Sequence, residues 1–485
     1  MTLEDIRNER IKKLTLLKKA GLVPYAPASQ RTTTISDLLK DFDTKKDGRT
    51  VTVAGRVLAI RGHGGIIFCD VWDGTGKIQG YLHTEELSEE KMKLFNDTVD
   101  VGDFIDISGN PGTTKRGEKS IVVRDWIMLA KSLRTLPEKW VGLTDSEERL
   151  RRRYLDFISH PELKELFEKK AKFWDVTRTF LKDRGFLEVE TPTLEITTGG
   201  AEARPFKTHH NDFDIDVFLR ISVGELWQKR LMSAGIPRTF EIGRVYRNEG
   251  SSLEHLQEFT NMELYASYMS FEEGKELIKE LYRAIAQEVF GTTKFETRGH
   301  TFDLSDEWEE LDYVSTVENM TGVNIFESSE KELKDKLIEL GVQFEGETRE
   351  RLIDSLWKYC RKSISGPSFL VNHPKIVAPL SQEHPDDPRK TLTLQIIMAG
   401  SEMGRAHGEL NNPLDQAQRF EEQGKLIERG DEEAMMPDFE FVEMMEYGMP
   451  PCFGFGFGER LFAFMVDKPV RETQIFPLMR PRREQ

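Results

Sequence analysis

The sequence has little cysteine and no long apolar run. These two absences argue against a disulfide-stabilised protein and against a membrane protein. Of its 485 residues only three are cysteines, Cys69, Cys360 and Cys452, and they lie far apart. Such spacing provides neither a disulfide framework nor a metal-ligand motif, so it favours a reducing compartment, the cytoplasm. No apolar stretch approaches the roughly 20 residues that cross a bilayer, and the N-terminus has no signal-peptide core. We therefore expect no membrane association.

The chain also lacks a basic excess, since its net charge is −16 and its pI is near 5.3. On its own this argues against a nucleic-acid-binding protein. A local basic surface can still hold RNA, because counterion release depends on the contact surface and not on the whole chain. The hydrophobic fraction of 38% and the mean hydropathy of −0.50 fit two or three domains, each with its own core.

Short strand-forming segments separated by turns fill the region from about residue 50 to residue 133. Five such segments alternate with Asp-Gly, Gly-Lys and Pro-Gly turns, and a helical piece lies near 89–96. This order fits an OB barrel, a fold that binds single-stranded nucleic acid on an exposed sheet face. Residues 1–30 before it predict a charged helix that Pro24 and Pro27 end. Packing of this helix on the next domain is favoured over an RNA-contacting arm.

The stretch 239–268 predicts a strand, a polar loop and a second strand. Position parity puts Arg247 and Glu249 on one face of the first strand, and Phe259, Glu263 and Tyr265 on one face of the second. An arginine and two acids are costly to bury without partners. These faces are therefore either solvated or part of a ligand site, and the pattern alone leaves both possibilities open.

This stretch resembles motif 2 of the class II aminoacyl-tRNA synthetases, in which an Arg-x-Glu, a loop and a phenylalanine follow one another. A helix and a proline-ended strand over 161–194 resemble motif 1, the dimer interface, and the Gly-x-Gly-x-Gly-Glu-Arg at 454–460 resembles motif 3. The segments LPEKW, GLTD and RYLD resemble the interdomain linker of lysyl-tRNA synthetases. VAGRV, Phe68 and GKIQGYL resemble the anticodon-binding barrel of lysyl-, aspartyl- and asparaginyl-tRNA synthetases.

The resemblance implies an α+β fold class, with an OB-fold β-barrel followed by a catalytic domain built on an antiparallel β-sheet flanked by helices. The expected boundaries are a helical extension at 1–30, the barrel at 31–135, a linker at 136–160 and the catalytic domain at 161–485. The resemblance breaks at about 290–390, which we interpret as an insertion packed on the catalytic domain. The sequence indicates no role for it.

The resemblance also implies roles for individual residues. Catalysis would fall to Arg247 and Arg460, whose planar guanidinium groups suit the phosphates of ATP. The remaining ATP contacts would be Glu249, His255, Phe259 and Glu402. The amino acid would be bound by Gly200, Glu225, Glu263, Tyr265, Glu409 and Gly456. Mg²⁺ would be held by Glu402 and Glu409, and the anticodon of tRNA by Arg61, Phe68 and Gln79.

These roles together predict a lysine–tRNA ligase that uses ATP to convert L-lysine to lysyl-adenylate and then transfers lysine to the 3′ end of tRNA(Lys). The expected form is a cytoplasmic homodimer. An aspartyl- or asparaginyl-tRNA synthetase is the nearest alternative. A paralogue that lysylates a protein and a non-catalytic RNA-binding paralogue are further alternatives.

Four positions depart from the family pattern. Gln395 stands where a second metal-binding acid is expected, which predicts fewer metal ions or an altered magnesium affinity, since an amide is a weak ligand for a hard cation. Arg405 and His407 stand where lysyl enzymes usually have an asparagine and an aromatic residue. Val223-Gly224 replaces the usual proline before Glu225 and is one residue longer, so the local geometry there is open.

Overall fold

The computed structural model describes residues 2–43, 48–63, 65–137, 143–201, 203–250, 252–344, 346, 348–429 and 434–482. Residues 138–142 of the predicted linker and residues 345 and 347 of the predicted insertion lie outside this description. The chain divides into two compact units, Met1–Asp145 and Ser146–Gln485. The α-helices of the described residues are α1 (Leu3–Lys19), α2 (Ile35–Lys40), α3 (Glu89–Thr98), α4 (Ser146–Arg151), α5 (Arg153–Ser159), α6 (Leu163–Lys182), α7 (Glu225–Ser233), α8 (Phe271–Ile285), α9 (Tyr313–Thr321), α10 (Glu330–Glu339), α11 (Arg349–Cys360), α12 (Pro413–Glu428), α13 (Phe439–Glu446) and α14 (Arg460–Met465).

The first unit contains a closed five-stranded barrel, which confirms the predicted OB fold. Its strands pair in the order β1-β2-β3-β5-β4. They are β1 (Val51–His63), β2 (Ile66–Trp72), β3 (Lys77–His83), β4 (Phe104–Thr113) and β5 (Lys119–Ala130). Helix α1 packs on the barrel, because Leu17 lies in the barrel core and Arg10 donates to the carbonyls of Val101, Ser132 and Arg134. This contact set favours the packed-helix interpretation of the N-terminus.

The second unit is built on an eight-stranded sheet. Its strands are β6 (Leu187–Glu188), β7 (Arg238–Tyr246), β8 (Glu258–Ser267), β9 (Glu309–Asp312), β10 (Ser368–Val371), β11 (Thr393–Met398), β12 (Ser401–Gly408) and β13 (Cys452–Gly458). They lie in the order β9-β10-β11-β12-β13-β8-β7-β6. The six inner strands are antiparallel, as expected, while the edge strands β9 and β6 pair in parallel with their neighbours. The described residues also form smaller sheets from Leu194–Glu195, Lys207–His210 and Ile215–Leu219, from Lys294–Thr297 and His300–Asp303, and from Glu383–His384 and Asp387–Thr391.

Strand β13 shows why the sequence repeat Phe-Gly-Phe-Gly-Phe-Gly forms the middle of this sheet. Successive side chains of a strand point to opposite faces. Phe453, Phe455 and Phe457 accordingly pack into the main hydrophobic core. The glycines that alternate with them leave the other face of the strand bare, so the same repeat that forms the core also clears space above the sheet.

Part of the predicted insertion at about 290–390 belongs to the eight-stranded sheet, which the sequence did not indicate. Strands β9 and β10 come from this region and form one end of the eight-stranded sheet. Helices α9, α10 and α11 bury their apolar residues in a separate core against these strands. Strand β10 cannot be recognised from an alternation of apolar and polar residues, because all four of its residues are buried. Among the described residues, no helix is both long and apolar enough to span a membrane.

Candidate active site

A cavity of about 410 Å³ lies above the bare face of β13. It is lined by every residue that the sequence assigned to ATP or amino acid binding. These residues are Gly200, Glu225, Arg247, Glu249, His255, Phe259, Glu263, Tyr265, Glu402, Glu409, Gly456 and Arg460. These residues are spread over about 260 positions of the chain, from Gly200 to Arg460, and they meet in one pocket. Their individual roles remain predictions.

One end of the cavity is a wall of buried acids. Glu225, Glu263 and Glu409 are 6%, 7% and 2% exposed. Between two of them lies Lys229, 1% exposed, whose Nζ is 2.7 Å from Glu225 Oε1 and 2.5 Å from Glu409 Oε2. Lys229 was not among the predicted site residues, because a lysine in an amphipathic helix usually points to solvent. When all three acids are ionised, this group of four carries more negative than positive charge.

Glu263 has no cationic partner in this group and is held by neutral donors. Its carboxylate accepts hydrogen bonds from Val223 N at 2.8 Å, from Asn261 Nδ2 at 2.9 Å and from Tyr265 Oη at 3.1 Å. Burial, and then the charge of Glu225, raise the pKa of Glu263 to about 7. Burial also raises the pKa of Glu409, although Lys229 opposes this shift. The acid wall is therefore poised to gain stability from an added cation.

Glycines make the close approach of these acids to the sheet possible. A Cβ on Gly454 would lie 2.0 Å from Glu409 Oε1, and a Cβ on Gly456 would lie 2.9 Å from Glu263 Cγ. The structure shows the local geometry at Val223-Gly224, which replaces the usual proline before Glu225. Gly224 has a φ of 68°, in the left-handed region that favours glycine, and α7 begins at the next residue. The turn thereby directs Glu225 into the cavity without the proline of the family pattern.

The other end of the cavity is rich in arginine. Arg460 Nη1 lies 3.4 Å from Glu254 Oε2, and the Arg460 guanidinium donates to the backbone oxygen of Glu402. Arg298 also pairs with Glu254. Burial would raise the pKa of Glu402, but Arg361 and Arg460 outweigh it and lower the pKa. Guanidinium groups in excess of carboxylates suit a polyanion such as a triphosphate.

Arg247 and His255 line the space between the two ends. Arg247 donates two hydrogen bonds, of 3.3 and 3.2 Å, to the backbone oxygen of Ile221, and its guanidinium lies 5.3 Å from the Phe259 ring centroid. His255 Nδ1 is 2.7 Å from Ser252 Oγ. Burial, and then the charge of Arg460, lower the pKa of His255.

The barrel of the first unit carries a separate row of aromatic and polar side chains. Arg61, Phe68 and Tyr81 are register partners across β1, β2 and β3. The Phe68 and Tyr81 rings stack at 5.2 Å, and Tyr81 stacks on His83 at 4.7 Å. Phe68 is partly exposed, whereas the barrel core is made of the side chains that alternate with it. Tyr81 and His83 were not among the predicted contacts.

The two remaining predicted barrel residues have protein partners. Arg61 Nη2 pairs with Asp70 Oδ1 at 2.8 Å, but its side chain stays 57% exposed. Gln79 Oε1 accepts a hydrogen bond from Ser120 Oγ at 3.1 Å. Both side chains lie beside the stacked rings, since Gln79 precedes Tyr81 by two positions on the same face of β3.

Comparisons with known proteins agree with this geometry. Residues 145–480 match the family model described as tRNA synthetases class II (D, K and N), and residues 51–129 match an OB-fold nucleic acid binding domain. The chain belongs to the class II tRNA synthetases of the D, K and N group. Curated relatives named lysine–tRNA ligase include those of Thermotoga maritima, with 40% identity over 99% of this chain and 97% of the relative, and Roseiflexus castenholzii, with 42% identity over 99% of this chain and 100% of the relative.

The carboxylates that the sequence assigned to Mg²⁺ in this class II synthetase already have partners. Glu402 Oε1 accepts from Trp357 Nε1 at 3.0 Å and lies 3.6 Å from Arg361 Nε, while Glu409 pairs with Lys229. Within the described ranges, no group of three or more His, Cys, Asp or Glu side chains could hold a metal ion. This donor set is a poor match for a resident Mg²⁺ ion, and the assignment of Glu402 and Glu409 to metal remains a prediction.

Several residues that contact acids of the synthetase pocket, without lining the cavity themselves, had no signal in the sequence. Trp357 and Arg361 come from α11 and the turn after it, and Arg298 follows the strand Lys294–Thr297. All three lie in the region that the sequence left without a role. No motif marks them, because each acts by reaching Glu254 or Glu402 from an element distant in the chain.

The raised pKa of Glu263 predicts a pH-dependent stability. An acid with a folded-state pKa above its ordinary 4.5 contributes stability at low pH, which is lost as the pH rises through about 7. Glu263→Gln, which imitates the protonated acid, should remove this loss, about 3 kcal/mol in all for a shift of this size. We expect the ligand-free wild type to lose more thermal stability than the variant between pH 5 and pH 8, as measured by calorimetry.

The control for this comparison is Glu421→Gln on α12, an exposed acid that should leave the pH dependence unchanged. Parallel stability curves for wild type and Glu263→Gln across this pH range would contradict the assignment of the raised pKa.

Proposed function

We propose that this class II synthetase is a lysine–tRNA ligase, which activates L-lysine with ATP and transfers it to the 3′ end of tRNA(Lys). The acid wall is the observation that carries the proposal. Three buried carboxylates, Glu225, Glu263 and Glu409, face one internal ammonium, Lys229. Two negative charges are therefore left for a ligand to neutralise when all three acids are ionised.

Lysine is the amino acid that matches this charge. It brings two ammonium groups to the wall, while its carboxylate can pair with Arg247. Aspartate would bring a second carboxylate beside the acids and asparagine only one cation, so both leave the wall unbalanced. The relatives from Thermotoga maritima, Roseiflexus castenholzii and Moorella thermoacetica, the last 39% identical over 99% of this chain and of the relative, bear the name lysine–tRNA ligase.

The first step is attack of a lysine carboxylate oxygen on the α-phosphorus of ATP, with pyrophosphate as the leaving group. Arg247 would hold both the carboxylate and the α-phosphate, and Arg460 would pair with the other phosphates. Phe259 would stack on the adenine ring and Glu249 would accept from its amino group, while His255 would donate to a phosphate oxygen. The acid wall, once neutralised by the two ammonium groups of lysine, would keep the attacking carboxylate in position, so catalysis is chiefly orientation and charge neutralisation.

In the second step a terminal hydroxyl of tRNA attacks the lysyl carbonyl, and AMP leaves. No side-chain general base is needed, because the phosphate of the adenylate can take the proton. Mg²⁺ would enter with ATP as part of the substrate. The barrel would hold the anticodon on the stack of Phe68, Tyr81 and His83, with Arg61 and Gln79 beside it. We place this activity in the cytoplasm.

The amino acid preference is tested by ATP–pyrophosphate exchange with lysine, aspartate, asparagine and arginine. We expect exchange with lysine alone. Glu409→Gln removes one acid from the wall and should lower kcat/KM for lysine by about a hundredfold, since a buried charged contact contributes roughly 2–3 kcal/mol.

The matched control is Glu440→Gln on α13, where the side chain is exposed and the exchange rate should stay at the wild-type value. Calorimetric melting shows whether Glu409→Gln is folded. Exchange with aspartate or asparagine but not lysine would overturn the proposed specificity and leave the class of reaction intact.

The aromatic stack of the barrel predicts a role for Tyr81 in tRNA binding. Tyr81→Ala should weaken tRNA(Lys) binding about tenfold, because stacking of one base on an aromatic ring contributes about 1–3 kcal/mol. Tyr81→Phe retains the ring and should bind tRNA like the wild type. Both variants should retain normal ATP–pyrophosphate exchange, which needs no tRNA. Equal tRNA affinity for Tyr81→Ala and wild type, measured by filter binding, would exclude the stack from the interface.

The proposed homodimer is supported by exposed apolar side chains in the motif 1 segment, 161–194, and in the residues that follow it as far as Phe213. Leu187, Leu194, Ile196 and Phe213 are 53%, 50%, 71% and 69% exposed. We expect Ile196→Asp with Phe213→Asp to shift the protein from dimer to monomer in sedimentation velocity. Tyr447→Asp alters a side chain that is 86% exposed outside this region and should leave the dimer intact. A wild type that sediments as a monomer would refute the proposed assembly.

A further inference from the structure

The cavity wall carries a polar cluster that the proposed function does not use. Gln395 on β11 and Arg405 on β12 are register partners, and Arg405 is in turn the partner of Gly456 on β13. Both side chains line the cavity. Because Gly456 has no side chain, the guanidinium of Arg405 faces open space on that side rather than a neighbouring residue.

Arg405 lacks an anionic partner. Across the described part of the chain its one hydrogen-bond acceptor is the backbone oxygen of Val377, 2.8 Å from Nη2, and no carboxylate lies within 4 Å. Its Nε is buried and makes no hydrogen bond. A partly buried guanidinium without a counter-charge is costly, and a ligand that supplies an anion recovers that free energy. The cluster therefore favours an anionic group in the cavity next to Arg405.

The position of Arg405 indicates which anion this is. Strand β12 runs from Glu402, beside Arg460 and Arg361, through Arg405 and His407 toward Glu409 in the acid wall. The acid wall repels anions, whereas the arginine end attracts them. The charge of Arg405 is felt at Glu402, whose pKa it helps to lower after Arg361 and Arg460. A phosphate that occupies the arginine end is thus the anion within its reach.

Gln395 fits this arrangement better than an acid would. The ring of His373 is neutral, because burial and then Arg405 lower its pKa to about 4. Both ring nitrogens face oxygen atoms: Nδ1 lies 3.3 Å from the backbone oxygen of Thr393, and Nε2 lies 3.1 Å from Gln395 Oε1. A carboxylate in place of the Gln395 amide would lie beside Arg405, its register partner, and would neutralise the guanidinium.

We propose that Arg405 binds a phosphate group of ATP directly and supplies, from the protein, the positive charge that a metal ion between two acids would otherwise bring to this wall. This inference rests on the proposed function, since it takes ATP as the anion. It accounts for the poor match of Gln395 and of the partnered Glu402 to a resident Mg²⁺ ion. One cationic side chain and one amide here stand in place of one acid and a metal ion, while the other acid, Glu402, remains.

The test is calorimetric titration of the full-length protein with ATP and with adenosine, in excess EDTA and without lysine. The wild type should bind ATP without metal. Arg405→Gln should weaken metal-free ATP binding tenfold or more and leave adenosine binding unchanged, since adenosine has no phosphate. Arg405→Lys should lose less, because the charge remains. Gln395→Glu should weaken metal-free ATP binding as Arg405→Gln does, because the new carboxylate would form an ion pair with Arg405.

The outcomes separate this inference from the proposed function. If Arg405→Gln binds ATP within twofold of the wild type, or loses adenosine and ATP equally, Arg405 has only a structural role and the inference is wrong. Loss of lysine binding with retention of ATP binding would assign Arg405 to the amino acid carboxylate and likewise overturn it. A wild type that binds MgATP and exchanges pyrophosphate with lysine, but does not bind ATP in EDTA, retains the proposed function and refutes this inference.

Discussion

Compensation of buried charge is the constraint on which this structure depends. The cavity contains carboxylates at one end and guanidinium groups at the other, and neither set is stable in a protein interior without partners. Lys229 neutralises part of the acid wall, and Glu254 and Glu402 neutralise part of the arginine end. What remains is an excess of opposite sign at each end. Two substrates, a cationic amino acid and a polyphosphate, complete the balance.

This division of charge also explains how the pocket orients its ligands. In the proposed function, lysine places its ammonium groups at the acid wall and ATP places its phosphates at the arginine end. The carboxylate and the α-phosphate would then meet at Arg247, which interacts electrostatically with both Glu263 and Arg460. Orientation by long-range charge needs little movement of the protein, since the acids rest on the glycines of β13, at the floor of the cavity.

The region at about 290–390 shows how a stretch without motifs can serve a site. Its strands β9 and β10 extend the sheet. Its helix α11 carries Trp357, which donates a hydrogen bond to the Glu402 carboxylate. Arg298 and Arg361, from the same region, add positive charge at the phosphate end. These residues do not line the cavity themselves, but they contact Glu254 and Glu402, which do. A stretch of this kind looks like an insertion when only the ligand contacts are compared with a family.

The sequence by itself determined the OB barrel, the class of the catalytic sheet and twelve of the residues that line the cavity, because period-two alternation, turn residues and the three class motifs are local in the chain. It did not reveal Lys229 between Glu225 and Glu409, the donors to Glu263, or the missing counter-ion of Arg405. These are facts of proximity between distant segments, and helix or strand periodicity carries no information about them. The tertiary structure alone decided which charges are paired, and the pairing decides what the pocket can bind.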